Sequence, residues 1–296
     1  MSGKKLKVAV SAIMKNEVDY VLEWLAWHRV QGFDHFIVYD NKSEDGTFEL
    51  LVQLEKLGFL TVHSIEDQVG AQQKAYLQVI HDSLGVFDVV GFIDADEFLM
   101  PQGGFKSIDV IRDRFECADV GGCGINWRVY GSGGQVKQAE GFVMSRFNHA
   151  ASDVRLRNHY LKSFYRPEAI NKIFPHRGAL KPGYTYVNAR GNKLEFASCK
   201  DRIEPVRKGA TTGVSLEICN SGLRVNHYAL KSEEEFLLKK KHKGNAMRGS
   251  GHVRSEGYFK EFDLNDEELP VPSIWLERLS IEHKRIARMV FPSSSC

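Results

Sequence analysis

The sequence predicts an α/β protein: a mainly parallel sheet with helices on both faces. Two observations carry this. Over the first 130 residues, apolar runs of strand length alternate with stretches whose apolar residues recur at helical spacing, the signature of repeated strand–helix units. Three of the segments that follow a strand, Lys15-Asn16-Glu17, Asp40 to Asp45 and Asp94 to Glu97, are polar. In parallel sheets, ligands bind beyond the carboxyl ends of the strands, where such segments would meet.

Leu6 to Met14 reads as the first strand. Asn16 to Val30 follows with Val18, Val21, Leu22, Leu25, Ala26 and Val30 on one helical stripe. Asp34 to Tyr39 is the second strand. A polar loop, Asp40 to Gly46, leads into a helix from Thr47, which suits an N-cap, to Leu57, with Gly58 where a helix is expected to stop. Leu60 to Ile65 is a third strand, Ala71 to Leu84 a helix, and Val86 to Ile93 a fourth strand. Ser107 to Phe115 is a short helix before a strand from Val120 to Tyr130. Gly131-Ser132-Gly133-Gly134 reads as a flexible connection. Residues 135–225 mix strand-like pieces, Tyr160 to Tyr165 and Tyr184 to Val187, with turns and aromatic residues, and predict no regular layer. Order returns at Leu223 to Tyr228. Ser232 and Glu235 have the spacing of a capping box for a helix running to Lys243, and Ser273 to Val290 is a final amphipathic helix. The chain thus divides near residue 130 into an orderly half, 1–130, and an irregular half, 131–296, of one continuous domain.

Composition sets the bounds. With 296 residues, 43% hydrophobic and 26% charged, the chain buries a full core. A net charge of +2, from 40 basic and 38 acidic residues, gives no reason to expect a nucleic-acid partner. Cys117, Cys123, Cys199, Cys219 and Cys296 are odd in number and form no Cys-x-x-Cys, which argues against a disulfide framework or a zinc site and for a reducing compartment. The start, Met-Ser-Gly-Lys-Lys, is too short and polar for a signal peptide, and no apolar run approaches the ~20 residues of a membrane helix. A cytoplasmic protein is the expectation. The last helix sets Trp275, Leu279, Ile286 and Val290 beside Lys284, Arg285 and Arg288, which suits either packing on the domain or peripheral contact with a membrane.

The richest junction is Val89-Val90-Gly91-Phe92-Ile93 running into Asp94-Ala95-Asp96. If the strand continues, alternation points both carboxylates to one face, where they can share a ligand. Carboxylates are hard donors suited to Mg²⁺ or Mn²⁺, ions that usually reach a site with substrate phosphates. A phosphorylated substrate is implied. The ordinary alternative is an Asp that caps a helix or sits in a turn.

Further segments group with this one. Ala12-Ile13-Met14-Lys15-Asn16-Glu17, Glu23-Trp24 with His28, Gly32-Phe33-Asp34-His35, Tyr39-Asp40-Asn41 and Asp45-Gly46-Thr47 come first in order. Gln72-Gln73-Lys74-Ala75-Tyr76, Ile93 to Phe98, Trp127 with Gly131-Ser132-Gly133, Lys162-Ser163 with Arg166-Pro167, and Asn226-His227-Tyr228 with Lys231-Ser232 and Glu234-Glu235-Phe236 follow. Together, from about residue 8 to 245, the chain resembles glycosyltransferases of the family 2 and family 92 type. The resemblance implies the GT-A fold, with residues 1–130 as the nucleotide-sugar half and 131–296 as the acceptor side. It also implies transfer of a sugar, with inversion, from a nucleoside-diphosphate sugar, UDP being the expected nucleotide, to a glycan or lipid-linked acceptor. Cell-surface polysaccharide synthesis is the expected setting.

On that resemblance Asp94 and Asp96 hold Mn²⁺ or Mg²⁺ against the diphosphate, with contact of Asp94 to the ribose instead of the metal as the alternative. His227 is the third candidate ligand, or else a hydrogen-bonded structural histidine. Asn16, Glu17 and Asp40 would surround base and ribose. Gln72, Lys74, Lys162 and Arg166 are further donor-binding candidates, each with an ordinary surface role as the alternative. Trp127 would stack on the acceptor sugar or else belong to the core. Lys239, Lys240, Lys241 and Lys243 could close over the diphosphate or simply favour a helix end. For the base that takes the acceptor's proton, Asp153 is the first candidate and Glu195 the alternative, with Glu97 too near the aspartates to set aside. Two rivals stand beside this reading: a haloacid dehalogenase-like phosphohydrolase, which also carries Asp-x-Asp after a strand, and a non-catalytic carbohydrate-binding module.

Overall fold

The computed structural model describes residues 5–66, 69–198, 201, 213–241 and 253–292. The predicted alternation is present: β1 (Val8–Met14), α1 (Val21–Val30), β2 (His35–Asp40), α2 (Thr47–Lys56), β3 (Thr61–Ser64), α3 (Ala71–Ser83) and β4 (Val89–Phe92). β1 pairs in parallel with β2 and with β4, and β2 with β3. The chain continues through β5 (Glu97–Pro101), α4 (Ser107–Arg114), β6 (Val120–Val129), α5 (Val143–Arg146), β7 (His149–Ala150), β8 (Leu161–Tyr165), β9 (Ile170–Ile173), β10 (Gly178–Leu180) and β11 (Thr185–Asn188). It closes with β12 (Leu223–His227), α6 (Glu233–Glu235), α7 (Glu256–Phe262), β13 (Glu267–Glu268) and α8 (Ser273–Val290).

One sheet takes strands from both sides of residue 130, in the order β3-β2-β1-β4-β8-β6-β12-β5, with β11 also paired to β6. β8 runs antiparallel to β4 and β6, β12 runs parallel to β6, and β5 antiparallel to β12. The irregular half is therefore less irregular than its sequence, because three of its short strands complete the sheet. β1 shows why the sheet is central: Val8, Val10, Ala12 and Met14 enter one core with α1, α2 and α8, while Ala9 enters a second core with Ala75, Tyr76, Val79 and Ile80 of α3. A strand covered on both faces has to be apolar on both. Gly91 of β4 lets the Phe164 ring of β8 lie against the backbone, where any Cβ would come within 2.2 Å of it.

Local departures have local causes. α1 starts at Val21 and not near Asn16, because Asn16 is left-handed (φ 53°) and the N–H groups of Tyr20 and Val21 first turn back to the Glu17 carbonyl. Gly46 caps α2 at φ 94°, with the Thr47 N–H and hydroxyl bound to Asp45. The predicted capping box is present: Ser232 accepts from the Glu235 N–H, and the Glu235 carboxylate accepts from the Ser232 N–H. From Phe236 to Lys240 that helix widens into a π turn, and Lys243 lies outside the described residues. α8 buries Trp275, Leu279, Ile286 and Val290, with Trp275 edge-on to Trp27 of α1. Among the described residues, no helix is long and apolar enough to cross a membrane.

Candidate active site

Strand direction gathers the site. β1, β2, β4, β6 and β12 end at one edge of the sheet, and the reversed strands β5 and β8 begin there. Asn16, Glu17, Asp40, Asp94, Asp96, Glu97, Trp127, Lys162 and His227 therefore converge from positions up to 211 residues apart, as 227 − 16.

Asp94 to Asp96 form a tight turn between β4 and β5, closed by the Glu97 N–H on the Asp94 carbonyl at 3.0 Å. The expectation that strand alternation pairs the two carboxylates is corrected here, since the strand ends at Phe92. Other groups fix the turn. The Trp24 indole N–H donates to the Asp94 carbonyl (3.0 Å), the Asp94 N–H donates to Glu97 Oε2 (2.8 Å), and the Tyr228 N–H donates to the Asp96 carbonyl (2.9 Å).

The two carboxylates have different partners. Asp94 Oδ2 lies 2.7 Å from Lys162 Nζ, while its Oδ1 accepts from the Tyr76 hydroxyl at 3.3 Å and Gln72 Nε2 at 3.4 Å. Asp96 is ion-paired with Lys240, and its Oδ1 lies 3.8 Å from His227 Nε2. Burial opposes the charge on Asp96, but Lys240 and His227 outweigh it and hold the carboxyl well below its usual range. Burial pulls Lys162 down, yet Asp94 and Glu97 outweigh that and hold the ammonium well above its usual value. Glu97, fully buried beside these charges, is pushed up to about 8, chiefly by burial. Burial lowers His227.

On the β1–β2 side, Asp40 Oδ2 accepts the Ser43 N–H at 3.1 Å, while Asp40 Oδ1 and Asn41 Oδ1 are buried without a partner among the described residues. Buried acceptors left open are where a ligand's donors fit. Asn16 Oδ1 accepts the Glu44 N–H at 2.8 Å, and the Glu17 N–H donates to Thr47 Oγ1 at 2.8 Å, so both residues knit this loop together. Gln72 is buried toward Asp94. Lys74, two residues on, is exposed on the outer side of α3, away from the helix's buried stripe.

Trp127 is buried and lies in an aromatic group, with ring centres 4.1 Å from His227, 5.0 Å from Tyr160 and 5.1 Å from His176, its indole N–H unpaired among the described residues. His176 escaped the sequence reading. It sits on the turn between β9 and β10, elements that periodicity did not reveal. His28, one of the residues in the resemblance, is a core histidine between the Trp24 carbonyl (2.8 Å) and the Leu99 N–H, and burial pushes it down to about 3.

Three expectations part from the structure. Arg166 lies past the far end of β8, about 13 Å along the strand from Lys162, and its guanidinium donates to the carbonyls of Val120, Phe115 and Cys117. It fastens the opposite edge of the sheet, because β8 runs backwards. Asp153 is spent on Arg128 and also accepts from Asn220 Nδ2 at 2.6 Å. Arg128 alternates with Trp127 along β6 and so belongs to the other sheet face. Glu195 is exposed on a loop, where its carbonyl accepts from the Leu216 N–H. Neither carboxylate joins the Asp96–His227 group. Lys239 pairs with Asp19 and Lys240 with Asp96; Cys199 and Cys296 lie outside the described residues.

Among the described residues no three His, Cys, Asp or Glu side chains stand close enough to hold an ion alone. Asp96 and His227 nonetheless supply a facing carboxylate and imidazole, a donor pair that suits Mn²⁺, and such ions commonly take their remaining ligands from substrate phosphates and water. Lys240 already places its ammonium on Asp96, so a metal ion at this position would have to displace it. Asp94 faces Lys162 instead.

The chain has clear relatives. The description of glycosyltransferase family 92 matches residues 4–190. A glycosyltransferase family 92 protein of Oryza sativa subsp. japonica is 26% identical over 214 residues, 71% of this chain and 36% of its own length. One of Ricinus communis is 25% identical over 191 residues, 63% of this chain and 34% of its own. The chain thus spans about a third of the length of these curated relatives. The crystal structure of S. aureus TarS 1–349 is 17% identical with a TM-score of 0.38, covering 55% of this chain and 48% of that one.

Proposed function

The chain belongs to glycosyltransferase family 92, and on that premise we propose a metal-dependent transferase of the GT-A type. It moves a sugar from UDP to a hydroxyl of a glycan or lipid-linked acceptor, with inversion at the anomeric carbon. The phosphohydrolase rival falls with the family assignment. The observation that carries the donor reading is the pairing of Asp96 with His227 at the edge where Asp40 leaves a buried oxygen unpaired.

In this reading Asp40, with Asn16 and Glu17 beside it, receives the base and ribose, since Asp40 Oδ1 and Asn41 Oδ1 are open acceptors among the described residues. Asp94, steadied by Lys162, Gln72 and Tyr76, accepts from sugar hydroxyls. Asp96 and His227 would hold Mn²⁺ or Mg²⁺, which when bound neutralises charge on the departing diphosphate. Lys240 stands beside the same position and adds a second positive charge. Trp127 would contribute its indole N–H, which has no partner among the described residues, toward the acceptor sugar. The exposed side of α8, where Ile274 and Ile281 alternate with Arg278, Lys284, Arg285 and Arg288, suits contact with an anionic lipid surface that would carry a lipid-linked acceptor.

Calorimetric titration of UDP with and without Mn²⁺ tests this. The wild type is expected to bind UDP tightly only with the metal, and Asp96→Ala to lose that enhancement by at least tenfold. Equal binding with and without Mn²⁺ would remove the metal from the proposal, and no binding of UDP would remove the nucleotide.

A further inference from the structure

Among the described residues, the carboxylates considered above are not placed to take the acceptor's proton. Asp153 is committed to Arg128 on the other sheet face, and Glu195 is exposed away from the cluster. Glu97 has no exposure and binds the Asp94 N–H, and Asp94 and Asp96 face Lys162 and Lys240. Asp40, at the end of β2, and Glu17, after β1, lie three and two strands from β8, on the nucleotide side. One titratable group on the β6–β8 side is differently placed.

His176 stands on the turn joining β9 and β10, which is closed by the Phe174 N–H on the Arg177 carbonyl at 3.0 Å. The turn is pinned to β8, since Ser163 Oγ donates to the His176 carbonyl at 3.2 Å. The imidazole Nδ1 lies 3.2 Å from the Leu161 carbonyl. A carbonyl only accepts, so Nδ1 carries the hydrogen and the neutral ring keeps its lone pair on Nε2. Nε2 has no hydrogen-bond partner among the described residues. The ring stands edge-on to Trp127 (81° between planes) and 5.4 Å from Tyr160, next to the residue that precedes Lys162. Burial, with help from the Lys162 charge, pushes the imidazole down to about 4, so it is unprotonated across the physiological range.

We propose that His176 is the general base of the transfer, with Nε2 taking the proton of an acceptor hydroxyl. The assignment rests on the glycosyltransferase reading above. As the acceptor oxygen bonds the anomeric carbon, its O–H electron pair completes that bond and its proton passes to Nε2. The bond from the anomeric carbon to the diphosphate oxygen breaks, its electron pair leaving with UDP. The imidazolium then returns its proton to water. The Leu161 carbonyl keeps the ring in the tautomer this requires, in the way an oriented base is usually held.

Water serves as a poor acceptor in such sites, so UDP release from a panel of UDP-sugars with Mn²⁺ reads the base without knowledge of the true acceptor. His176→Asn keeps an N–H for the Leu161 carbonyl and removes the lone pair. We expect its UDP affinity to stay within about twofold of wild type and its release rate to fall about 10²–10³-fold, the usual size of a general-base contribution. In His176→Ala, added imidazole should restore part of the rate while pyrazole, a far weaker base, should not. Near-wild-type release by His176→Asn overturns the assignment, as does a folded His176→Ala that imidazole fails to restore. UDP binding by the wild type without any release also overturns it, whereas a wild type that binds no UDP overturns the underlying reading first.

Discussion

Lys162 Nζ lies 2.7 Å from Asp94 Oδ2, and the lysine has no solvent exposure. The same ammonium is 3.4 Å from Glu97 Oε2, so one buried cation stands between the buried Glu97 and the part-buried Asp94. An ion so placed is costly to remove, since the partners stay behind uncompensated. Lys162→Met should destabilise the fold by about 3–5 kcal/mol, the usual cost of breaking a buried pair. Glu97→Gln in that background should recover part of the loss. Urea unfolding of the two single variants and the double variant gives the coupling energy. Additive losses would mean that Lys162 and Glu97 do not act on one another.

The alternation of β1 to α3 was legible because each element is long enough to show its period. β5 was not: Glu97-Phe98-Leu99-Met100-Pro101 is buried on both faces and has no polar alternation to mark a strand. Its absence from the sequence reading turned Asp94 and Asp96 into strand neighbours when they are turn residues. Arg166 was misplaced for a related reason. The direction of β8 decides whether a residue faces the site or the far edge, and direction is a property of the assembled sheet. Asp40, Trp127 and His227 could be placed at one sheet edge because they lie at or near the ends of strands that could be read. His176 lies on a short hairpin without period, and only the Leu161 carbonyl and the Trp127 ring give it meaning.

Lys240 and the proposed cation compete for Asp96. With the ammonium removed, as in Lys240→Met, the carboxylate is free before any nucleotide arrives. Mn²⁺ affinity without UDP should rise several-fold, while the affinity for UDP at saturating Mn²⁺ should fall, because one positive charge beside the diphosphate is gone. Electron paramagnetic resonance of free Mn²⁺ and calorimetry with UDP measure the two. Unchanged Mn²⁺ affinity would separate Lys240 from the cation position.

Asp153 should be dispensable for chemistry. Its carboxylate is largely exposed and serves Arg128, which Glu267 also contacts. Asp153→Ala is expected to leave UDP affinity and UDP release within about twofold of wild type and to cost on the order of 1 kcal/mol in stability, as exposed partners do. A loss of release beyond tenfold with the fold intact would return Asp153 to the role of base and displace His176.

Glu235 links stability to pH through the helix that carries Lys240. Tyr20 donates its hydroxyl to Glu235 Oε1 at 2.7 Å, Arg146 grips both oxygens, and the Ser232 hydroxyl donates to Oε2 at 2.6 Å. Burial opposes the charge, but these donors outweigh it and hold the carboxyl at about 2, against 4.5 for an ordinary glutamate. The folded value is depressed, so the contribution is complete above about pH 4.5 and is lost as pH falls toward 2. Its size is about 3 kcal/mol by the free energy of a pKa shift. Glu235→Gln should therefore unfold at lower urea than wild type at pH 7, and the gap should narrow steadily between pH 4.5 and 2. A gap independent of pH across that window would assign the loss to packing around Ser232, and Lys240 would then owe its place over Asp96 to something other than this charge.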